Sequence, residues 1–209
     1  MRILIVSKTH MRGMACVGGL TLNGSQNVRL LQSNTLNQPQ NTLYEVGDVW
    51  ELNFRPRPDI IAPHVEDVLV DSGGKIGTQA SMCCYLLSKV QPWQGDPEQL
   101  FDGLIRFTWN DTGYISRRNK LPNGSVGFWI PSNDLHRVDQ ENRIRYRCAG
   151  HGKNVWITYV GFEALVDVLP HGALLRVSLA RWWRPQDAPD MEDRCYLQLS
   201  GWYGVTPIA

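Results

Sequence analysis

The chain has 209 residues, 43% of them hydrophobic, and a formal net charge of +1 from 21 Lys/Arg against 20 Asp/Glu. That is enough for a full core, as one large all-β domain or as two small domains of roughly 100 residues each. No run approaches about 18 consecutive apolar residues, which argues against a membrane-spanning helix, and near-neutrality means that any polyanion-binding surface must be local.

The start, MRILIVSKTH, has four apolar residues in a row, too few for a secretory leader, so a cytoplasmic setting is expected. Five scattered cysteines (Cys16, Cys83, Cys84, Cys148, Cys195), odd in number and including a vicinal pair, fit a reduced compartment better than a disulfide framework. Cys148 and His151 have a spacing zinc can use, but no second such pair exists and tetrahedral zinc wants four ligands. No metal or other cofactor is expected.

In chain order, residues 3–6 and 15–22 are short apolar runs, the second ending in the turn signal Asn23-Gly24. With residues 28–31 the second run predicts a hairpin, in which Gly18 and Gly19 signal a bulge or bend. Residues 34–41 form a polar loop and 49–54 alternate as a strand. Arg55-Pro56-Arg57-Pro58 cannot continue a central strand, and residues 63–71 supply the next one, closed by Ser72-Gly73-Gly74. Five short strands in about seventy residues is the size of a small OB-like barrel.

Between residues 78 and 90 the apolar period lengthens to that of a helix, and Asp96-Pro97-Glu98 looks like the start of a second short helix over 97–102. Strand patterning then resumes at 104–109, 114–117, 126–130, 143–148 and 155–160, with a helical turn expected at 131–135. Residues 162–169 fit a short helix as well as a strand, and Pro170 ends them. The last long apolar segment, from 173 to 204, reads as two half-buried strands, with Leu175, Val177 and Leu179 alternating with Arg176 and Ser178. The fold class expected is mainly β: two tandem small OB-like β-barrels over 1–77 and 104–209, joined by a short helical linker over 78–103.

Charge is uneven along the chain. Arg106, Arg117, Arg118, Lys120, Arg137, Arg143, Arg145, Arg147 and Lys153 stand against four acids in residues 106–153, whereas residues 1–100 carry eight Lys/Arg and nine Asp/Glu. Arg143, Arg145 and Arg147 alternate with Ile144, Tyr146 and Cys148, so a strand here would line its three arginines along one face. Such a stripe suits a phosphate backbone, although charges on one strand face are also the ordinary solvated face. Trp109, Tyr114, Phe128, Trp129, Tyr146 and Trp156 interleave with these arginines as stacking platforms would, or as barrel filling would. The candidate nucleic-acid site is Arg143, Arg145, Tyr146, Arg147, Lys153 and Trp156, with Lys8, Arg12 and Arg29 extending the track on the first barrel. Trp182-Trp183 and Trp202-Tyr203 are adjacent pairs, of which a strand can bury only one member in its own core. They are therefore expected at a domain seam or a partner surface.

The segments MRILIVSKTHMRGMACVGGLTLNGSQNVRLL, YEVGDVWEL, ALLRVSLARWWRP and CYLQLSGWY resemble the dual OB-containing domain family of prokaryotic proteins over almost the whole chain. The resemblance implies two tandem OB-like barrels, a role in binding nucleic acid or a nucleotide-like ligand, and a place in bacterial defence. Lys8, Cys16, Val17, Gly18, Gly19 and Arg29 match the patterned start, and Arg176, Ser178, Arg181, Trp182, Trp183, Ser200 and Trp202 match the end. It carries over no catalytic group.

Enzyme signatures do not appear: there is no GxxxxGK[ST], GxGxxG after a strand, HExxH or GxSxG, and no deaminase spacing. Asp59, Glu66, Asp67 and Asp71 could assemble a metal-dependent nuclease, but acids near a strand end are usually surface residues. Three readings follow. The first is a non-catalytic binder of single-stranded DNA or RNA. The second is a regulatory subunit docking a partner enzyme encoded beside it through its aromatic C-terminal strands. The third is a nucleotide-ligand sensor.

Overall fold

A computed structural model describes residues 1–140, 143–150, 153–188 and 190–205. The chain forms two compact units, Met1–Gln91 and Pro92–Ala209.

The first unit contains β1 (Arg2–Met11), β2 (Met14–Thr21), β3 (Asn27–Gln32), the two-residue β4 (Gln38–Pro39), β5 (Asp48–Pro56), β6 (Asp67–Thr78) and the short helix α1 (Met82–Leu87). Five strands close a ring in the order β1-β5-β6-β3-β2 and back to β1. The pairing of β3 with β6 is parallel and the other four are antiparallel. This is a closed OB-like barrel, as the run of short strands predicted. The β2–β3 hairpin is present as expected, but β1 is far longer than its apolar run. It continues to Met11 and turns through Arg12 (φ 48°) and Gly13 (φ 80°), the positive-φ pair that a tight hairpin needs. The bulge signalled by Gly18 and Gly19 sits opposite them, in β1 between Ile5 and Ser7. A Cβ on Gly19 would stand 2.4 Å from the Ile3 side chain, so the glycine allows β1 and β2 to close on each other inside the barrel.

The second unit contains β7 (Trp93–Gly95), β8 (Arg106–Phe107), β9 (Gly113–Ser116), β10 (Val126–Pro131), β11 (Leu135–Gln140), β12 (Arg143–Gly150), β13 (Lys153–Tyr159), β14 (Val168–Leu169), β15 (Leu174–Leu179) and β16 (Arg194–Tyr203). Its ladder runs β14-β11-β12-β13-β16-β15-β10-β7, with β9 pairing β16 and β8 pairing β9. The second barrel expected from sequence is not formed, because no pairing among the described residues joins the two ends of this ladder. Residues 132–134, within the stretch expected as a helical turn, form a bend that separates β10 from β11. Ser132 Oγ and Asn133 Nδ2 both donate to Asp96 Oδ1, and the Ser132 amide donates to the Gly95 carbonyl, so the bend is tied to the segment after β7. The second short helix expected over 97–102 takes the form of a 3-10 turn at Pro97–Gln99 followed by a single turn at Leu100–Gly103, in which Phe101 (φ 52°) and Asp102 (φ 59°) are left-handed.

One apolar cluster fills this unit, and it includes Trp129, Tyr146, Ile157, Tyr159, Leu175, Val177, Leu199 and Trp202. β15 is buried on both faces and not half-buried as its alternation implied: Arg176 is 1% exposed, with its guanidinium 4.4 Å from the Phe128 ring centre. Tyr146, Tyr159 and Trp202 pack as a trio with ring centres 5.0 to 6.1 Å apart. The Tyr159 hydroxyl donates to the Glu163 carbonyl, and the Trp202 amide approaches the Glu163 carboxylate at 3.5 Å. Loss of hydration there raises the Glu163 carboxyl from 4.5 to about 7. A carboxyl raised above its unfolded value favours folding while protonated, and that contribution is lost as pH rises from 4.5 through about 7. Thermal melts at about pH 5 and about pH 8 should show the wild type losing stability relative to Glu163→Gln, whose amide does not ionise.

Candidate nucleic-acid interface

β12 pairs on one side with β11 and on the other with β13, both antiparallel. Tyr146 and Cys148 point inward with Val155, Ile157 and Tyr159 of β13, and all five are buried. The pleat then puts Arg143, Arg145 and Arg147 on the opposite face, spaced roughly 6.6 Å apart along the strand. Ladder partners share a face: Arg147 lies between His136 and Trp156, and Arg145 lies between Val138 and Thr158. Arg143 and Arg147 are exposed, while Arg145 is half-buried with its Nε lacking any hydrogen-bond partner. Among the described residues no carboxylate lies within salt-bridge distance of these three arginines, whereas Arg137, on the other face of β11, is held by Asp139 at 2.6 Å and Asp167 at 3.7 Å. Lys153 opens β13, with its Nζ 5.5 Å from the Phe107 ring centre. Among the described residues the stripe is therefore a partly exposed cationic face without a carboxylate partner, on a three-stranded meander.

Not every residue proposed from sequence belongs to it. Tyr146 does not: it is 0% exposed and its hydroxyl donates to the Val166 carbonyl at 2.6 Å, because the alternation that exposes the arginines must bury the residue between them. Trp156 is half-buried beside Arg147, on the arginine face. In the first unit, Lys8 is buried and its Nζ lies 2.6 Å from Glu45 Oε1. Arg29 Nη2 lies 2.6 Å from the buried Asp67, which also holds Arg57 at 3.2 Å. These two cations are engaged with carboxylates of their own unit, and only Arg12, at the β1–β2 hairpin tip, is exposed.

The C-terminal aromatics divide. Trp202 and Tyr203, expected at a seam or a partner surface, are buried within the second unit, where the last residues of β16 are covered on both faces. Trp182 and Trp183 lie beyond β15: Trp182 is half-buried with Arg117 5.7 Å from its ring centre, and Trp183 is 50% exposed with its ring 5.9 Å from that of Tyr196. Arg117 and Arg184, unlike the stripe, face Asp193 at 3.0 and 3.6 Å.

Trp109, one of the aromatics expected either to stack on a ligand or to fill a barrel, was placed by its pattern at the end of a strand. It stands instead on a turn over residues 108–112 and is 96% exposed. The turn lies against β13: the Trp156 amide donates to the Asp111 carbonyl at 3.1 Å, and Thr112 bridges to Trp156. The sequence did carry a signal, since Asn110-Asp111-Thr112-Gly113 is turn chemistry that begins beside the tryptophan.

Among the described residues no group of three or more His, Cys, Asp or Glu side chains is placed to hold a metal ion. Cys148 is buried and its thiol is pushed up to about 12, first by burial and then by Asp96 and Glu98. His151 lies outside the described residues. Of the acids considered for a nuclease, Asp67 is engaged by Arg29 and Arg57, and Asp71 faces Arg55 at 3.5 Å. No helix among the described residues is long and apolar enough to cross a membrane.

A family model described as the dual OB-containing domain matches residues 1–202. No curated protein matches the chain. Similar solved structures include the p204 HINb domain, at 7% identity over 95% of each chain with a TM-score of 0.33. A murine DNA-binding protein bound with double-stranded DNA matches at 6% identity over 95% of this chain and 91% of that one, with a TM-score of 0.32.

The engagement of the first unit's cations has a measurable consequence. Asp67→Ala strands Arg29 and Arg57 in a poorly hydrated site and should destabilise the first unit by about 2 to 4 kcal/mol in urea titration. Arg55→Ala, which removes only the exposed pair with Asp71, should change stability by no more than about 0.5 kcal/mol.

Proposed function

The chain belongs to the dual OB-containing domain family, and we propose that it is a non-catalytic binder of single-stranded nucleic acid, DNA or RNA, which holds the phosphate backbone on Arg143, Arg145 and Arg147. The observation that carries this reading is the contrast between these three arginines, which share one strand face, and five of the other cations considered. Lys8, Arg29, Arg117, Arg137 and Arg184 all have carboxylates at hand, while the stripe has none among the described residues. An uncompensated row of guanidinium groups attracts a polyanion, releases its condensed counterions, and offers planar donors that match phosphate oxygens. Trp156 supplies a half-buried indole beside Arg147, whereas Lys153, at the start of β13, has the parity of Val155 and Ile157 and stands off the arginine face over Phe107. His136, exposed on the other side of Arg147, adds an imidazole that can hydrogen-bond.

Fluorescence anisotropy with a labelled single-stranded oligonucleotide at several salt concentrations tests this. Affinity should fall with salt, with a slope of about −0.7 per phosphate contact. Replacing all three arginines by glutamine (Arg143→Gln, Arg145→Gln, Arg147→Gln) should weaken binding by at least about tenfold at low salt and flatten the slope by about 2. Binding undiminished in that variant, with its circular dichroism intact, rules this surface out.

A further inference from the structure

We propose that Trp109 is the base-stacking residue of this surface and makes it selective for unpaired bases over duplex. The inference rests on the nucleic-acid reading of the arginine stripe and names the part of the ligand that the stripe cannot sense. Three observations lead to it. The first is exposure: Trp109 is 96% accessible, while Trp129 is fully buried, Trp202 is nearly so and Trp183, the next most exposed, is at 50%. A protein that covers its other indoles at least in part leaves this one in water.

The second is how the ring is displayed. Trp109 stands on a turn fixed by its own hydrogen bonds, in which the Thr108 and Thr112 backbones pair at 3.0 Å, the Asp111 amide donates to the Thr108 carbonyl, and Asp111 adopts φ 57°. The Thr112 amide also donates to Thr108 Oγ1 at 3.1 Å. The turn is thus built before any ligand arrives, and holding a stacking ring there costs little ordering on binding.

The third is location. The turn is bonded to β13 at Trp156, the ladder partner of Arg147, and Phe107 just before the turn lies under Lys153. An exposed indole on a turn bonded to the strand next to Arg147 suits a ligand that is anionic and also carries flat faces. A single strand offers both, since its phosphates can lie along the arginines while an unstacked base covers the indole. In a duplex the faces of the bases are occupied by their neighbours, and a protruding indole finds nothing to stack on.

Trp109→Ala and Trp109→Phe, both at a fully exposed position, are compared with wild type on three ligands of equal length: a single-stranded oligonucleotide, the same strand with abasic sites, and a duplex. Trp109→Ala should bind the single strand about 5- to 150-fold less tightly, and Trp109→Phe should recover most of that loss. The salt slope and the affinities for the abasic strand and the duplex should stay at wild-type values. Unchanged single-strand affinity in Trp109→Ala overturns the proposal, as does an equal loss on the abasic strand. Both results leave the arginine reading standing, whereas a wild type that retains none of the three ligands removes that reading and this one together.

Discussion

Burial of Tyr146 fixes the register on which the candidate surface depends. Its ring packs against Tyr159 and Trp202, and its hydroxyl reaches the Val166 carbonyl at 2.6 Å, so β12 cannot slip by one residue without expelling a large aromatic and stranding a buried acceptor. Because the pleat has a period of two, the same constraint turns Arg143, Arg145 and Arg147 outward as a set. The core of the second unit and its cationic face are therefore two sides of one strand.

The two units manage charge in different ways. In the closed barrel, cations on strands are drawn into local pairs: Lys8 with Glu45, Lys75 with Asp48, and Arg29 and Arg57 on a single buried Asp67. Such pairs recover part of the hydration that burial removes, and they leave little field outside. In the second unit, the segment after β15 behaves similarly, with Asp193 between Arg117 and Arg184. Only on the β11–β12–β13 meander do several guanidinium groups share a face without a carboxylate among the described residues, and there the potential adds instead of cancelling.

Much of the fold was legible because period and turn chemistry are local. The β2–β3 hairpin, the β12–β13 hairpin and the pairing of the last two long strands all follow from alternation between turn residues. The arginine stripe was legible for the same reason. Closure of a barrel was not, because it depends on pairing between strands far apart in sequence, which no local pattern reports. The bend at residues 132–134 is likewise held from a distance, by Asp96 nearly forty residues away in sequence. Arg176 shows the same limit: its alternation with Leu175 and Val177 signals a solvated face, yet it is buried with Phe128 against it, and no local pattern reports what lies above a strand. Trp109 was hidden by a different ambiguity, since an aromatic at the boundary between a strand and a turn fits either one.

The main ladder of the second unit is open and ends in two edge strands, a feature the closed barrel does not share. Exposed strand edges are templates for edge-to-edge association between molecules. Here each edge is made by a very short strand, three residues in β7 and two in β14, with Pro92 just before the first and Pro170 just after the second. Proline offers no amide donor, so a passing chain would find only two or three residues to pair with before the ladder stopped. The unit can therefore stay unclosed without its edges inviting self-association.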